Sequence, residues 1–328
     1  MSPSPPHTHK AATLASILIA FGCVYLFWGS TYTAIRIGAA ELPALLLSGT
    51  RSVIAGSLLL AWCRMRGLRL LWPPRTMGSL AIIGCLLLTG GNVTLVYAEK
   101  FIPSGLASLI FAATPIYVAL LETALPHGES LPLRGWLGVL LGFLGMIALL
   151  GPTLRHAVET GFLSDSARLI AIAACLAGAL CWAIGSLYSR HQRLPVNSFV
   201  AAAWQMILAG SLNLILATVF RQWSQAHWNF AAVGSLAYLI TGGSLIGYSS
   251  YVYLLQHVPV AKVATYAYIN PIIAVLLGVL ILHEHLEATE LAGMAAILVA
   301  VALLTSAQVR SKTGQPVPVI TLEPTAPE

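Results

Sequence analysis

The 328-residue chain is 58% apolar and only 9% charged, with a mean hydropathy of +0.83. Soluble domains carry roughly 25% charged residues, so this chain cannot cover a water-facing surface with polar groups. Its net charge of +6 has no polar face on which to form a nucleic-acid patch, which leaves lipid as the fitting solvent.

In chain order, the segment 1–13 is short, rich in Pro, Ser and His at its start, and expected to be disordered. Apolar runs then span 14–37, 43–63, 77–98, 104–124, 133–151, 168–189, 196–220, 231–254, 260–282 and 288–307. Each is near the roughly 20 residues that cross a hydrocarbon layer. None alternates with period two, so ten transmembrane helices are expected. The first run is too long for a signal-peptide core of roughly 7–15 residues. Residues 152–167 read as a connecting loop, and 307–328, rich in Pro, Thr and Glu, as a disordered tail. The cysteines (Cys23, Cys63, Cys85, Cys175 and Cys181) lie in or at the ends of apolar runs without CxxC or zinc spacing, and read as small apolar fillers.

With both termini in the cytoplasm, eleven of the 17 Lys and Arg fall on the inner side, five on the outer side, and Arg51 lies within a helix. The run Arg64, Arg66, Arg69 and Arg75 weighs most. The positive-inside bias therefore places both termini in the cytoplasm.

The chain also repeats. At an offset of 156, Gly29-Ser30 recurs as Gly185-Ser186, Gly78-Ser79-Leu80-Ala81 as Gly234-Ser235-Leu236-Ala237, Gly91 as Gly247, and Pro115-Ile116 as Pro271-Ile272. So many matches at one offset mark a duplication, 14–151 against 168–306. Five helices per copy is an odd number, so the second copy crosses the membrane upside down. The expected fold is an all-α integral membrane protein of ten transmembrane helices, two inverted five-helix repeats around a central cavity. Such repeats place a site at their interface near the midplane.

Several stretches resemble the EamA family of the drug/metabolite transporter superfamily, and within it the YedA-like inner-membrane subgroup. They are Trp28-Gly29-Ser30-Thr31-Tyr32 with Arg36, Arg51, Gly91-Asn92, Ile102-Pro103-Ser104-Gly105, Thr114-Pro115 and Glu129. In the second half they are Cys181-Trp182, Gly185-Ser186, Tyr266-Ala267-Tyr268, Asn270-Pro271 and Glu284. The resemblance covers roughly residues 15–306. It implies two pseudosymmetric bundles opening alternately to either side, and movement of small metabolites, often outward and including amino acids and related compounds, by a multi-pass protein in a bacterial-type inner membrane. The expectation drawn here is an exporter of amino acids or related compounds.

A charge at a helix centre costs roughly 2.5–3.5 kcal/mol on insertion scales, so Arg51 must face protein or water. It serves either as an anion contact or as a packing residue that bonds carbonyls of adjacent helices. Candidates for the cavity wall are Trp28, Ser30, Tyr32, Asn92 and Thr114 in the first repeat. In the second they are Trp182, Ser186, Tyr248, Tyr251, Tyr266, Tyr268 and Asn270. The region would be assembled from helices 1, 3 and 4 and helices 6, 8 and 9. Pro115 and Pro271 are expected to break helices 4 and 9, because proline lacks the backbone donor. Glu129 and Glu284 read as loop acids that complement helix N-termini.

His283-Glu284-His285 lacks the i, i+4 spacing of helical ligands, and no metal site or cofactor is expected. No GxSxG, HExxH or Walker loop points to an intramembrane enzyme. A receptor is a further alternative, as is an importer or exchanger of sugar phosphates or nucleosides. The expected partners are a small-molecule substrate and the lipid bilayer, with the chain as monomer or homodimer. Proton coupling stays open: Glu99 and Glu122 fall at helix ends, so no buried carboxylate is expected.

Overall fold

A computed structural model describes residues 13–124, 133–160, 166–284 and 288–313. The chain is helical along most of its described length. The helices are α1 (Leu14–Glu41), α2 (Ala44–Met65), α3 (Pro74–Ala98), α4 (Ser104–Ala124) and α5 (Leu133–Thr160). They continue as α6 (Ser166–Gln192), α7 (Ser198–Val219), α8 (Phe230–His257), α9 (Tyr266–Leu282) and α10 (Ala288–Thr313). Eight of them are long and apolar enough to cross a bilayer; Ile269–Leu282 in α9 and Leu291–Leu303 in α10 are shorter apolar stretches. Helix α5 runs on to Thr160, into the stretch expected to be a loop.

Local chemistry sets the starts. Thr13 Oγ1 accepts from Ser16 N at 3.2 Å, Asn197 Oδ1 from Phe199 N at 3.0 Å, and Asn229 Oδ1 from Ala232 N at 2.9 Å. Each satisfies one of the donors that a helix start leaves free. Pro43 and Pro103 stand just before α2 and α4, where a missing N–H costs nothing.

Burial is inverted relative to a soluble protein. Leu133, Leu137, Leu140, Leu144 and Ile147 stand exposed along α5, whereas Ser48, Arg51, Ser52, Asn92, Gln205 and Asn213 are buried. Contiguous apolar surface of that kind marks a lipid-facing wall. Helix α2 packs along α7 and α5 along α10, while α1 packs on α8 and α9, and α6 on α3 and α4. The α2–α7 seam is close because it is glycine-lined. A Cβ on Gly56 would sit 2.9 Å from the Ala203 carbonyl, and one on Gly210 2.9 Å from Val53 N. Small residues let backbones approach where lipid offers no hydrophobic drive for association.

Three helices widen locally into π-helix: Val24–Trp28 in α1, Cys85–Val93 in α3 and Leu239–Tyr248 in α8. The two prolines behave differently from each other. Helix α4 is interrupted at 112–113, just before Thr114-Pro115. Pro271, expected to break its helix, lies inside the continuous Tyr266–Leu282, and the irregular turn falls earlier, at 264–265.

Candidate functional site

The three π stretches meet at one cavity. Trp28 closes the first stretch, Leu88 and Asn92 lie in the second, and Gly243 and Tyr248 in the third; all five line the same space. A π-turn shifts the register of the side chains that follow it and is frequent at functional sites. Tyr32, Arg51, Phe111, Trp182, Tyr266 and Asn270 complete most of the wall. Helices α1, α3, α4, α6, α8 and α9 therefore contribute, with α2 adding Arg51.

The aromatic part is a packed cluster. Trp28 meets Trp182 edge-on at 5.4 Å between ring centroids, Tyr266 edge-on at 5.4 Å, and Tyr251 at 4.8 Å. Trp28 Nε1 donates to the Gly243 carbonyl at 3.1 Å, and Trp182 Nε1 to Tyr251 Oη at 3.0 Å. Two glycines admit the indoles. A Cβ on Gly247 would lie 2.5 Å from Trp28, and one on Gly91 2.7 Å from Trp182. Each tryptophan thus seats on a glycine of the opposite half of the chain.

The polar part is incompletely paired. Arg51 Nε donates to Ser244 Oγ at 3.1 Å, but its Nη1 is buried with no partner among the described residues, and the same holds for Asn270 Oδ1. Ser48 Oγ donates to Asn92 Oδ1 at 3.2 Å, joining α2 to α3, and Tyr248 Oη donates to Gln205 Oε1 at 2.8 Å, joining α8 to α7. Arg51, buried at 5% exposure, is the one charged side chain among the described residues of the cavity wall.

Of the residues expected on the wall, Trp28, Tyr32, Asn92, Trp182, Tyr248, Tyr266 and Asn270 line it. Tyr251 and Ser186 stand behind the wall and bond each other at 2.5 Å. Thr114 is buried and bonds back to the Phe111 carbonyl at 2.6 Å within the α4 break. Ser30 points elsewhere, to Tyr238 Oη at 2.5 Å, on a separate groove. The Tyr268 side chain and Glu129 lie outside the described residues. Thr31, Ile35, Leu88, Leu95 and Phe111 join the wall without having been singled out. Helical spacing carries part of this: 28, 31, 32 and 35 share one face of α1, and 88, 92 and 95 one face of α3.

The cavity holds only about 50 Å³, whereas metabolite pockets run to roughly 300–1,000 Å³. A second cavity of about 400 Å³ lies beyond it, lined by Arg190, Arg193, Gln205, Gln256 and His257. Leu80 and Ile83 place this vestibule at the start of α3. Tyr248 faces the first cavity and Gln205 the second, so their hydrogen bond is part of the partition between them. At the opposite end of α3, Glu284 ties the turn after α9 to the start of α4. Its carboxylate accepts from Ser104 N at 2.9 Å, Ser104 Oγ at 2.8 Å and Gly105 N at 3.3 Å, at the start of α4.

The profile of the EamA-like transporter family matches residues 14–151 and 169–306. The chain is 35% identical to the uncharacterized inner membrane transporter YedA of Escherichia coli strain K12 over 287 residues, 86% of this chain and 88% of that protein. It is 27% identical to the transporter YvbV of Bacillus subtilis strain 168, covering 89% and 92% of the two chains. A solved crystal structure, 21% identical, superposes with a TM-score of 0.66 over 93% of this chain and 100% of the other, a likeness of fold. The chain therefore belongs to the EamA-like transporter family and is a multi-pass membrane transporter rather than an enzyme.

Proposed function

We propose that this protein is an alternating-access exporter of small amphipathic metabolites, amino acids or close relatives, in an inner membrane. In this reading ten transmembrane helices form two inverted repeats, with both termini cytoplasmic. The observation that carries the substrate class is Arg51 Nη1 and Asn270 Oδ1, both buried and unpartnered, on one aromatic-walled cavity. The guanidinium suits a carboxylate, and the amide oxygen suits an ammonium or amide donor. The indole and phenol faces suit the apolar remainder of the solute. A sugar phosphate is less well matched, because Arg51 is the sole cation among the described lining residues.

The cross-half contacts support the repeat reading, since α1 packs on α8 and α9 much as α6 packs on α3 and α4. Lysine and arginine bias supports a cytoplasmic vestibule at Arg190 and Arg193. In this conformation the central site is contracted, closed at the Glu284 end, and separated from the vestibule by the Tyr248–Gln205 layer. Loading from the vestibule followed by opening at the Glu284 end is outward transport.

Reconstituted liposomes loaded with labelled amino acids, nucleosides and sugar phosphates test this. Release confined to the amino-acid class, lost with Arg51→Ala and Trp28→Ala in protein that still folds, is the expected result. Release confined to sugar phosphates would replace the substrate class. Retention of all three would reject the carrier reading for these solutes.

A further inference from the structure

Glu99 follows α3 in the short loop before α4, and its position at a helix end led to the expectation of a wet carboxyl. The structure corrects this: the Glu99 side chain is 0% exposed, and neither carboxyl oxygen has a hydrogen-bond partner among the described residues. Its backbone is fully engaged. The N–H bonds the Leu95 carbonyl at 2.9 Å, and the carbonyl accepts from the Arg36 guanidinium. Only the carboxyl is stranded.

The surrounding elements each bring their own groups. Helix α1 brings Tyr32 and Arg36, α6 brings Cys175, and the turn after α9 brings Glu284. The first turn of α4 brings Ser104 and Gly105, whose donors are already spent on Glu284. Ionised, Glu99 would be a carboxylate without donors, out of water and near a second carboxylate. Burial pushes its carboxyl well above the usual range, Glu284 pushes the same way, and Arg36 opposes them.

We propose that Glu99 is a proton-binding site built into the closure at the Glu284 end. Sealing this end takes up one proton on the Glu99 carboxyl, and opening it releases that proton to water. Opening here is the outward half of the alternating access proposed above, on which this assignment rests. In an open end the carboxyl returns toward an ordinary value of about 4.3. The closed form then binds one proton more than the open form. Its advantage is complete below the open-state value and is lost as pH rises toward the closed-state value. Across that window the closed-to-open ratio falls by up to about tenfold per pH unit.

Cys175 is a resident reporter, buried and close enough to Glu99 for the two to interact electrostatically. The full chain in nanodiscs, with Cys23, Cys63, Cys85 and Cys181 replaced by alanine, is labelled with a water-soluble maleimide across a pH series. Both faces are accessible, so membrane orientation does not enter. Rates are divided by those of a cysteine at Phe230→Cys, a position 94% exposed, in a background that also carries Cys175→Ala. This removes the pH dependence of the thiol itself. The normalised rate is expected to climb with pH by up to about tenfold per unit, to be slow and flat in Glu99→Gln, and to climb again in Glu99→Asp. A flat curve for the chain that retains Glu99 overturns the proposal without recourse to any Glu99 variant, as does a wild-type slope in Glu99→Gln. Transport measured in parallel separates the two readings. A flat curve with active transport rejects only the Glu99 assignment, and a steep curve with no transport of any solute rejects the carrier.

Discussion

At the scale of single residues, the site depends on two positions that have no side chain. Gly247 and Gly91 are repeat mates, and each accepts a tryptophan from the other half. An added methyl at Gly247 would lie 2.5 Å from the Trp28 Cδ1 and Nε1 atoms. It would push the indole off the Gly243 carbonyl, to which it donates at 3.1 Å. Overpacking of this kind costs about 1–3 kcal/mol. Gly247→Ala and Gly91→Ala are therefore expected to lower the unfolding midpoint and reduce transport. The controls are Gly78→Ala and Gly234→Ala, another mated pair, where a Cβ meets nothing within 4 Å. There the higher helix propensity of alanine, about 1 kcal/mol, should leave stability unchanged or raised. Thermal unfolding of the four variants decides; equal losses in all four would remove the indole seats as the cause. The mated residues were legible in the sequence as equivalent positions. That each tryptophan seats on the other repeat's glycine was not, because a repeat states which residues correspond and is silent on which ones touch.

At the scale of elements, two prolines that read alike in the sequence do different things. Pro115 is the second residue of the segment Thr114–Ala124, after the interruption in α4. The carbonyl four residues back, at Phe111, accepts from Thr114 Oγ1 at 2.6 Å instead, so the missing donor is not felt. Pro271 sits inside α9, where it withholds a donor from the carbonyl four residues back, at Ala267. A helix-interior proline costs about 3 kcal/mol relative to alanine. Pro271→Ala should thus raise the unfolding midpoint and slow turnover if α9 must bend to open, while Pro115→Ala should bring no gain. Unfolding and transport rates of the two variants check this, and an equal gain in both would refute the distinction. Position along the helix decides the effect of proline, and the spans in the sequence were too coarse to fix it. The π stretches in α1, α3 and α8 were equally hidden. They alter register by packing against neighbours, and glycines such as Gly90-Gly91 and Gly242-Gly243 mark only that backbones come close. Helix existence, by contrast, was plain from hydropathy, since lipid permits few alternatives.

At the scale of the whole molecule, the question is what keeps the central cavity shut on the vestibule side. Among the described residues one side-chain hydrogen bond joins a wall residue of the first cavity to a wall residue of the second, Tyr248 Oη to Gln205 Oε1 at 2.8 Å. Both residues are almost fully buried, at 2% and 1% exposure. Removing one partner strands the other, at about 1–3 kcal/mol, whereas removing both leaves nothing stranded. Tyr248→Phe and Gln205→Leu should each destabilise the closed arrangement, and the double variant should recover part of the loss. The expected coupling is therefore large, as for residues in direct contact, and is read from unfolding midpoints of the four proteins. The same loss should favour exchange between vestibule and site, so each single variant should bind solute faster from the Arg190 end while the Glu284 end stays sealed. If the two single effects simply add, the partition is held by the surrounding aromatic packing and the hydrogen bond is incidental to it. If they couple, one polar contact between α7 and α8 separates a contracted site from a cavity of about 400 Å³, and loading requires that contact to break.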